Sequence, residues 1–334
     1  MKVTVLGSGA WGTALAMVLH DNGHEVTLWS FLKEETEALQ KTHENHFLKG
    51  VILPEGLKFS NTFDSVADSE LVVFATPSFA VRQTARAAAA YLKPGTTVVS
   101  VTKGIEKDTG LRMTEIICQE IQDSCKVVAL SGPSHAEEVS RRIPTGVVAA
   151  CADLEAAKKV QDAFMNSVFR VYTNADIVSV ELGAALKNVI ALCCGVSDGM
   201  GLGDNTKALM MTRGMAEMAR LGTALGGKNE TFAGLSGMGD LIVTCTSMHS
   251  RNRRAGILIG QGKSAQEAMK EVGAVVEGYY AAASAHMLAE KMGVDMPVCR
   301  CAYEVLYEGK QAQAVVGELM NRAKKDEAAD TKWM

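Results

Sequence analysis

The feature that most constrains this chain is its beginning, where residues 2–13 read KVTVLGSGAWGT. A short apolar run leads into Gly7, Gly9 and Gly12, and the helix-forming segment TALAMVLH follows at once. Glycines at this spacing tighten a turn, let a pyrophosphate approach the backbone and let a helix pack closely on a strand. A glycine triplet alone also occurs in structural turns, but here the preceding strand and the following helix agree with it. The segment therefore predicts a dinucleotide-binding unit.

Valine-rich runs recur between helical segments through the first half of the chain. Their apolarity is continuous, which strands need when helices cover both faces of a sheet. Because the runs alternate with helices, we expect an α/β fold with a Rossmann-type, doubly wound and mainly parallel sheet. The predicted strands after the first are residues 25–29, 71–76, 97–102, 126–130 and 146–150, with 168–172 as an edge strand.

The pattern changes after about residue 176, where segments rich in Ala, Leu, Met and Glu have helical spacing and no further strand stands out. The sequence therefore predicts an all-α C-terminal domain. Its predicted helices are residues 176–200, 204–226, 264–272, 278–293 and 297–308. We expect a dinucleotide-binding domain over 1–175, a helical substrate and catalytic domain over 176–320, and a charged, mobile tail over 321–334.

Charge and cysteine content argue against several classes of protein. A net charge of -4 gives no general attraction to nucleic acid or to a membrane surface. The eight cysteines contain no CxxC pair and lie mostly in apolar runs, which indicates reduced thiols in the cytoplasm and no metal centre. The chain opens on a core strand without a signal-peptide pattern, and no uninterrupted apolar run of membrane length is evident. Export and membrane insertion are therefore not expected.

The residues after the second predicted strand should distinguish NAD from NADP. An acidic side chain at that place binds a ribose 2′-hydroxyl, whereas an arginine binds a 2′-phosphate. Neither type occurs at Ser30 or Phe31. Phe31 could stack on adenosine or belong to the core, and Lys33 could face a phosphate or only solvent. This segment favours NAD and leaves NADP open.

Two loops follow strands at the edge where doubly wound sheets bind ligands. SVTKGIEK places Lys103 after a strand and beside a glycine, and LSGPSHAEEV places Gly132 and Ser134 in a turn before a helix. Such a turn suits a phosphate or another polar substrate. The alternatives are a solvated lysine and an ordinary helix start, with His135 at the start and Glu137 completing a capping box.

Lys187 and Asn188 interrupt the apolar helical segment VELGAALKNVIALCCGVSDGM. A lysine in such a helix snorkels, is paired or is functional, and burial would lower its pKa towards the range needed for proton transfer. Asp240 follows a glycine-rich turn and is a candidate partner for this lysine. Together the two residues favour a catalytic lysine over a purely structural ion pair.

The segment SRNRR offers Arg251 and Asn252 as a set of donors suited to a phosphate monoester. A solvated basic loop and a nucleic-acid site are the alternatives, but the second lacks interleaved aromatic residues and a wider basic surface. Further on, Glu277 lies at a predicted helix start. It could cap that helix or reach a cofactor amide, and capping is the simpler interpretation.

These motifs together resemble the NAD(P)-dependent glycerol-3-phosphate dehydrogenases of the bacterial soluble type. The resemblance rests on GSGAWGTALA, LVVFATPS, SVTKGIE, LSGPSHAEEV, ELGAALKNVIAL, GLSGMGDLIVTCTS with SRNRR, and VVEG, which occur in the family's order. It implies reversible hydride transfer between NAD(P)H and dihydroxyacetone phosphate, giving sn-glycerol 3-phosphate for glycerophospholipid synthesis, without a metal. It also suggests a homodimer.

The resemblance further implies roles for individual residues. Lys187 matches the proton acceptor of the family, and Lys103 and Asp240 complete the catalytic set. The implied substrate contacts are Lys103, Gly132, Ser134, Lys187, Asp240, Ser250, Arg251 and Asn252. With the glycine turn and Phe31 included, the cofactor contacts are Gly7, Gly9, Ala10, Trp11, Gly12, Phe31, Lys103, Ala136, Arg251, Val275 and Glu277.

The sequence departs from its bacterial relatives at two of these positions. Similar bacterial members often carry His or Arg where this chain has Phe31, which weakens an expectation of NADPH preference. Ala10 replaces a frequent serine, a small change if the contact is made through the backbone. Two other functions stay open. A dehydrogenase of the same superfamily that acts on a 3-hydroxy acid should lack SRNRR, and a non-enzymatic dinucleotide sensor would need only the first domain.

Overall fold

The computed structural model describes residues 1–121, 123–324 and 326–327. The first half of the chain forms one eight-stranded sheet. Its strands are β1 (Lys2–Leu6), β2 (Glu25–Trp29), β3 (Lys58–Ser60), β4 (Leu71–Phe74), β5 (Thr97–Ser100), β6 (Lys126–Ser131), β7 (Thr145–Ala150) and β8 (Phe169–Asn174). Their order across the sheet is β3-β2-β1-β4-β5-β6-β7-β8, so the chain starts inside the sheet and extends it in both directions.

The sheet is mainly parallel, as the sequence predicts, and only the pair β6 and β7 is antiparallel. The continuous apolar runs explain this arrangement, because β4 and β5 are buried at every position. β8 is the edge strand expected at 168–172. The sequence pattern does not predict β3, since its three residues are too few and too polar to form a recognisable run.

The turn between β1 and the first helix, α1 (Ala10–Asp21), depends on its glycines. Gly7 has a φ of +126°, and a Cβ there would lie 2.7 Å from the backbone of Ala75. A Cβ on Gly12 would lie 2.0 Å from the carbonyl oxygen of Gly7, so α1 can pack this closely only with glycine. Gly9 differs, because a Cβ there would meet nothing within 4 Å. The turn is therefore closed towards the protein and open above Gly9.

Further helices connect the strands and bury their apolar sides against the sheet. They are α2 (Lys33–Thr42), α3 (Asp64–Ala67), α4 (Val81–Ala89), α5 (Met113–Glu120), α6 (Ala136–Val139) and α7 (Leu154–Phe164). A short 3₁₀ turn, Ser78–Ala80, follows β4. The C-terminal ends of β1, β4, β5 and β6 share one edge of the sheet because these strands are parallel.

The second half of the chain is helical, which confirms the predicted fold class. Its helices are α8 (Ile177–Gly199), α9 (Gly203–Ala224), α10 (Asn229–Phe232), α11 (Asp240–Thr246), α12 (Arg251–Gly260), α13 (Ala265–Val272), α14 (Glu277–Met292), α15 (Pro297–Tyr307) and α16 (Ala312–Met320). Those predicted from spacing correspond to α8, α9, α13, α14 and α15. The sequence pattern does not predict α10, α12 or α16. The SRNRR segment begins α12, so its interpretation as a solvated loop is wrong.

Helix α8 is the core of this half. By length and composition alone it is long and apolar enough to cross a membrane, which corrects the expectation that no apolar run has membrane length. However, 89% of its apolar window is buried inside the protein, and Lys187 lies in its middle. We therefore describe α8 as a core helix.

Helices α8 and α12 run parallel with their backbones in close contact. A Cβ added to Gly195 would lie 2.1 Å from the carbonyl oxygen of Arg253. A Cβ added to Gly256 would lie 2.1 Å from the carbonyl oxygen of Leu192. Because backbone atoms occupy the space, neither position admits a side chain without moving one helix away from the other. Glycines in both helices therefore fix how α12 sits on α8.

The predicted domain limits stay a prediction. β8 ends at Asn174 and α8 begins at Ile177, on either side of the proposed boundary between 1–175 and 176–320. Residues 321–324 and 326–327 form neither helix nor strand. The rest of the predicted tail, residues 325 and 328–334, lies outside the described residues.

Candidate active site

A buried aspartate between two lysines forms the centre of the candidate active site. Lys103 donates from Nζ to Asp240 Oδ2 at 2.6 Å, and Lys187 donates from Nζ to Asp240 Oδ1 at 2.5 Å. Asp240 is 1% exposed and Lys187 is 5% exposed, whereas Lys103 is half-buried. The three residues predicted as catalytic are therefore in direct contact.

Each member of this cluster comes from a different element. Lys103 follows the C-terminal end of β5, Lys187 lies in α8, and Asp240 is the first residue of α11. A π-helical turn, Leu235–Gly239, leads into α11. Within that turn, a Cβ on Gly237 would lie 2.0 Å from the backbone of α10. The glycine-rich sequence thus lets the turn pack tightly and present Asp240 to both lysines.

Thr244 completes the cluster, although no motif pointed to it. It lies one helical turn after Asp240 on α11, where residues four apart share a face. Lys187 Nζ donates to Thr244 Oγ1 at 2.6 Å, and that hydroxyl donates to the backbone carbonyl of Asp240 at 2.6 Å. The ammonium group of Lys187 is therefore held by two acceptors. The i, i+4 spacing from Asp240 is the signal that could have identified Thr244.

The electrostatics of the cluster make Lys187 a group that can exchange protons. Burial lowers the pKa of Lys187 to about 8, with Asp240 opposing this effect and the ammonium of Lys103 adding to it. Burial alone would raise the pKa of Asp240, but the two ammonium groups outweigh it and hold that pKa below its usual value. An amine with a pKa near neutrality beside a carboxylate that stays ionised can take up and release a proton.

The SGPS turn lies directly against Lys103. Lys103 Nζ donates to the carbonyl oxygen of Gly132 at 3.0 Å and to Ser134 Oγ at 3.3 Å. Gly132 has a φ of +155°, and a Cβ there would lie 2.8 Å from the backbone of β7. The alternative of a capping box with Glu137 is wrong, because His135 is the N-cap of α6 and makes no side-chain capping bond. The turn therefore borders the lysine cluster.

His135 occupies a helix start, as the sequence suggested. Its Nε2 donates to the carbonyl oxygen of Val243 at 3.4 Å, and burial lowers the pKa of His135. The neutral imidazole thus links α6 to α11, the helix that carries Asp240.

The N-terminus of α12 carries the predicted phosphate-binding residues. Ser250 is the N-cap, and its Oγ accepts from the backbone N–H of Arg253 at 3.2 Å. Asn252 is buried, donates from Nδ2 to Asn188 Oδ1 at 2.9 Å and accepts from the backbone N–H of Gly278 at 2.8 Å. Asn252 thus joins α8, α12 and α14, a structural role that the sequence did not reveal. Its second Nδ2 hydrogen has no acceptor within the described residues.

Arg251 and Arg253 differ in what they bind. Arg253 is held by Asp198 at 2.8 Å and by the carbonyl oxygen of Thr246 at 2.8 Å. The guanidinium group of Arg251 makes no hydrogen bond within the described residues. Arg251 is exposed, and partial desolvation by the surrounding protein lowers the pKa of its guanidinium group, while the carboxylates of Glu277 and Glu137 oppose that shift. Of these two guanidinium groups, that of Arg251 keeps its donors for a ligand.

The residues of the glycine turn fit a dinucleotide. The N-cap of α1 is Gly9, which has no side chain to occupy the first amides of the helix, and the space above it is open. Ala10 and Trp11 begin α1, and the indole Nε1 of Trp11 is buried without a hydrogen-bond partner in the described structure. An unsatisfied buried donor beside an open glycine turn is consistent with a ligand at this place.

Glu277 connects the two halves of the protein. It begins α14, but it does not cap that helix. Its carboxylate accepts from the backbone N–H of Ser78 at 3.2 Å and from Ser78 Oγ at 2.7 Å, in the turn after β4. A Cβ on Gly104, beside Lys103, would lie 3.6 Å from Glu277 Oε2. Glu277 therefore approaches the lysine loop, and the capping interpretation is wrong.

The remaining predicted cofactor residues lie at three places. Ala136 is the first residue of α6, and Val275 lies two residues before α14. Phe31 follows β2 and is 77% exposed, with its ring edge-on to Trp29 at 6.3 Å. The alternative that Phe31 belongs to the core is therefore wrong. Lys33 is exposed and pairs with an acidic neighbour on α2, so it faces solvent.

The loop after β4 brings the two sites near each other. Ala75 in this loop contacts Gly7 of the glycine turn, and Ser78 contacts Glu277 beside the lysine loop. Doubly wound sheets bind ligands at this carboxyl edge. A glycine turn and a buried lysine–aspartate cluster at one edge define the class of dinucleotide-dependent oxidoreductases.

Comparison with known families identifies the particular member of this class. The sequence profile of the NAD-dependent glycerol-3-phosphate dehydrogenase N-terminus matches residues 2–157, and the profile of its C-terminus matches residues 176–317. The chain belongs to the NAD-dependent glycerol-3-phosphate dehydrogenase family.

Individual relatives agree with this assignment. A glycerol-3-phosphate dehydrogenase (NAD(P)+) of Bacillus cereus (strain AH187) is 52% identical over 330 residues, which cover 98% of this chain and 97% of that protein. The crystal structure of glycerol-3-phosphate dehydrogenase from Coxiella burnetii has a TM-score of 0.92 at 36% identity, covering 96% of this chain and 98% of that one. D-mandelate dehydrogenase with NADH shares the fold, with a TM-score of 0.66 at 17% identity, covering 95% of this chain and 100% of that one.

Proposed function

We propose that this protein reversibly reduces dihydroxyacetone phosphate to sn-glycerol 3-phosphate with NADH or NADPH, and that Lys187 is the proton donor. Membership of the glycerol-3-phosphate dehydrogenase family supports the reaction. The observation that carries the residue assignment is the buried carboxylate of Asp240, which contacts Lys187 and Lys103 at once.

The bound reduced nicotinamide supplies the hydride for the ketone carbon of the substrate. Lys187 holds a proton at Nζ and delivers it to the ketone oxygen as negative charge develops there. Asp240 and Thr244 fix the direction of that amine. Lys103 places a second ammonium group beside the developing charge. In the reverse direction, neutral Lys187 accepts the proton from the hydroxyl group of glycerol 3-phosphate.

The substrate phosphate is assigned to the N-terminus of α12. Arg251 offers guanidinium donors, and the first backbone amides of this helix favour an anion. Asn252 contributes through its backbone amide and its remaining Nδ2 hydrogen, and Ser250 contributes through its hydroxyl group, because the backbone N–H of Ser250 already donates to the carbonyl oxygen of Ser247. Two further substrate contacts belong to the SGPS turn, at Gly132 and Ser134. Lys103, Lys187 and Asp240 bind the ketone end of the molecule.

The cofactor is assigned to the carboxyl edge of the sheet. The first backbone amides of α1, next to the open glycine turn, would hold the pyrophosphate of the cofactor. The residues assigned to this part are Gly7, Gly9, Ala10, Trp11 and Gly12. The residues assigned to the rest of the cofactor are Phe31, Lys103, Ala136, Arg251, Val275 and Glu277.

The experiment that tests this proposal measures turnover of dihydroxyacetone phosphate with NADH and with NADPH. Lys187→Met should lower kcat by about 10²-fold to 10⁴-fold, the range for loss of a general acid, while cofactor binding stays near that of the wild type. Lys33→Met removes an exposed lysine that pairs on α2 and serves as the matched control. A Lys187→Met enzyme with wild-type kcat would refute the assignment of the proton donor.

The same assay separates the alternative functions. Cofactor binding with turnover of a 3-hydroxy acid, but not of dihydroxyacetone phosphate, would indicate another dehydrogenase of the superfamily. Cofactor binding without turnover of either substrate would indicate a dinucleotide sensor. The Arg251 guanidinium at the start of α12 favours the phosphorylated substrate over both alternatives.

Location and assembly are part of the same proposal. We place the protein in the cytoplasm, where a supply of glycerol 3-phosphate would serve phospholipid synthesis. The cysteines support a reducing compartment, because all eight are free thiols and six of them are buried. We also propose a homodimer, on the family resemblance alone. Analytical ultracentrifugation that finds a monomer at assay concentrations would reject it.

A further inference from the structure

A second polar cluster lies at the glycine turn, apart from the lysine cluster. Ser8, between Gly7 and Gly9, has its Oγ 2.9 Å from Ser30 Oγ and 3.1 Å from Glu35 Oε2. Ser30 is the first residue after β2, and its hydroxyl donates to the same carboxylate oxygen at 2.6 Å. Both serines are buried, whereas Glu35 is half-buried. Glu35 therefore ties α2 to the cofactor-binding turn.

Only one carboxylate oxygen of Glu35 is occupied in this way. In the part of the chain that the structure describes, Glu35 Oε1 makes no hydrogen bond. Glu35 lines a cavity of about 520 Å³ whose wall also includes Ser8 and Asn45. Asn45 donates to the carbonyl oxygen of Ser8 at 2.8 Å, which holds the glycine turn against this cavity. An acceptor is thus presented to an open space beside the turn.

Glu35 lies a few residues beyond the end of β2, which is the position that dinucleotide folds use to read the adenosine ribose. In those folds an acidic residue about 20 positions after the glycine turn accepts a hydrogen bond from the ribose 2′-hydroxyl. Glu35 comes 23 residues after Gly12. The acid does not come from the end of β2, where Ser30 and Phe31 lie. It comes from the first turn of α2, and Ser30 orients it.

The charges around the cavity favour a hydroxyl group over a phosphate. Glu34, Glu35 and Glu44 line it, and among the described residues Lys49 is the only lysine or arginine that does so. Lys33, close to the end of β2, is engaged with an acidic neighbour on α2. A 2′-phosphate carries up to two negative charges and would be repelled here, whereas a 2′-hydroxyl would find an acceptor.

We infer that Glu35 accepts the 2′-hydroxyl of the adenosine ribose and excludes a 2′-phosphate, so that this protein selects NADH over NADPH. The inference rests on the cofactor binding proposed above and not on the identity of the substrate. A hydrogen bond to a charged group corresponds to about tenfold to hundredfold in affinity. Glu35 is thus the specificity-determining residue for the cofactor.

A purely structural role for Glu35 predicts a different result. If the carboxylate only held α2 against the glycine turn, its loss would loosen the turn and weaken both cofactors by the same factor. The ratio of the two dissociation constants therefore distinguishes ribose recognition from a structural tie.

The test measures dissociation constants without substrate, by nicotinamide fluorescence, for NADH, NADPH and the 2′-deoxyadenosine analogue of NADH. Glu35→Gln keeps the shape of the side chain and its contacts with the serines but removes the charge. Glu155→Gln removes the same charge from an exposed glutamate on α7, which pairs with Lys158 and does not line the cavity, and is the matched control.

The wild type should bind NADH at least about tenfold more tightly than NADPH. Glu35→Gln should weaken NADH, tighten NADPH and abolish the difference between NADH and its 2′-deoxy analogue, while Glu155→Gln keeps the wild-type ratios. Equal weakening of both cofactors in Glu35→Gln, or a wild type that prefers NADPH, would overturn the inference. Because binding is measured directly, an inactive enzyme that still shows the predicted ratios would contradict only the proposed reaction.

Discussion

Replacement of Asp240 by asparagine should move the pH dependence of dihydroxyacetone phosphate reduction to lower pH. The carboxylate contacts both lysines and favours the protonated form of Lys187, whose pKa is about 8. With asparagine, burial and the ammonium of Lys103 still lower the pKa of Lys187, but no negative charge opposes them. Lys187 would then lose its proton at a lower pH and fail as a donor there.

The size of the shift follows from the lost contact. A hydrogen bond between charged groups contributes about 1.5 to 3 kcal/mol. Since 1.36 kcal/mol corresponds to one pKa unit, the pKa of Lys187 should fall by roughly one to two units. The midpoint of kcat against pH should move from about 8 in the wild type to roughly 6 to 7 in Asp240→Asn.

The assay is kcat for reduction measured from about pH 5.5 to about pH 9.5 at saturating substrate and cofactor. Asp21→Asn, which removes an exposed aspartate paired with Arg142, is the control and should keep the wild-type midpoint. Thermal unfolding of each variant shows that it is folded under assay conditions. An active Asp240→Asn enzyme with an unchanged midpoint would refute the coupling between Asp240 and Lys187.

Two further predictions concern the glycine turn and a buried carboxylate. Gly12→Ala should lower the unfolding free energy by about 1 to 3 kcal/mol and also weaken NADH binding, because its Cβ would lie 2.0 Å from the carbonyl oxygen of Gly7. Gly9→Ala should keep the wild-type Tm and weaken only NADH binding, because its Cβ would meet nothing within 4 Å. Equal Tm values for the two variants would contradict this. Burial raises the pKa of Glu217 to about 7, so its stabilisation of the fold is present at low pH and is lost as the pH rises through that value. Urea unfolding at about pH 5 and about pH 8 should show a loss of about 2.5 kcal/mol that Glu217→Gln removes. An identical pH dependence in Glu217→Gln would exclude this residue as the cause.

The sheet could be predicted because most of its strands have a recognisable sequence pattern. Each buried parallel strand is a short valine-rich run, and the helices between such runs determine how the sheet is wound. The direction of β7 could not be predicted, because an antiparallel strand buried on both faces has the same composition as a parallel one. β3 is too short to form a pattern, and α12 begins with polar and basic residues that mimic a loop.

The candidate site could be predicted only in part. Lys187 could be identified from the sequence because charged residues are uncommon inside apolar helices. Asp240 could be identified because it follows a glycine-rich turn. Thr244 and the structural role of Asn252 depend on how distant helices pack, which local sequence does not encode. Glu35 could not be predicted from its position, because the acidic residue was expected at the end of β2, whereas Glu35 lies in the first turn of α2.

The close packing of α8 and α12 has a consequence for the length of the substrate. A constant register joins the two parallel helices, with Asn188 beside Asn252 and Leu192 beside Gly256. Lys187 and Arg251 precede Asn188 and Asn252 by one residue each, so the same register places them at the same height along the two helix axes. Glycine contacts between the two backbones therefore fix the separation of the helix positions that carry the proposed proton donor and the proposed phosphate anchor. If these two assignments hold, the packing of the two helices would favour substrates with one particular distance between carbonyl and phosphate.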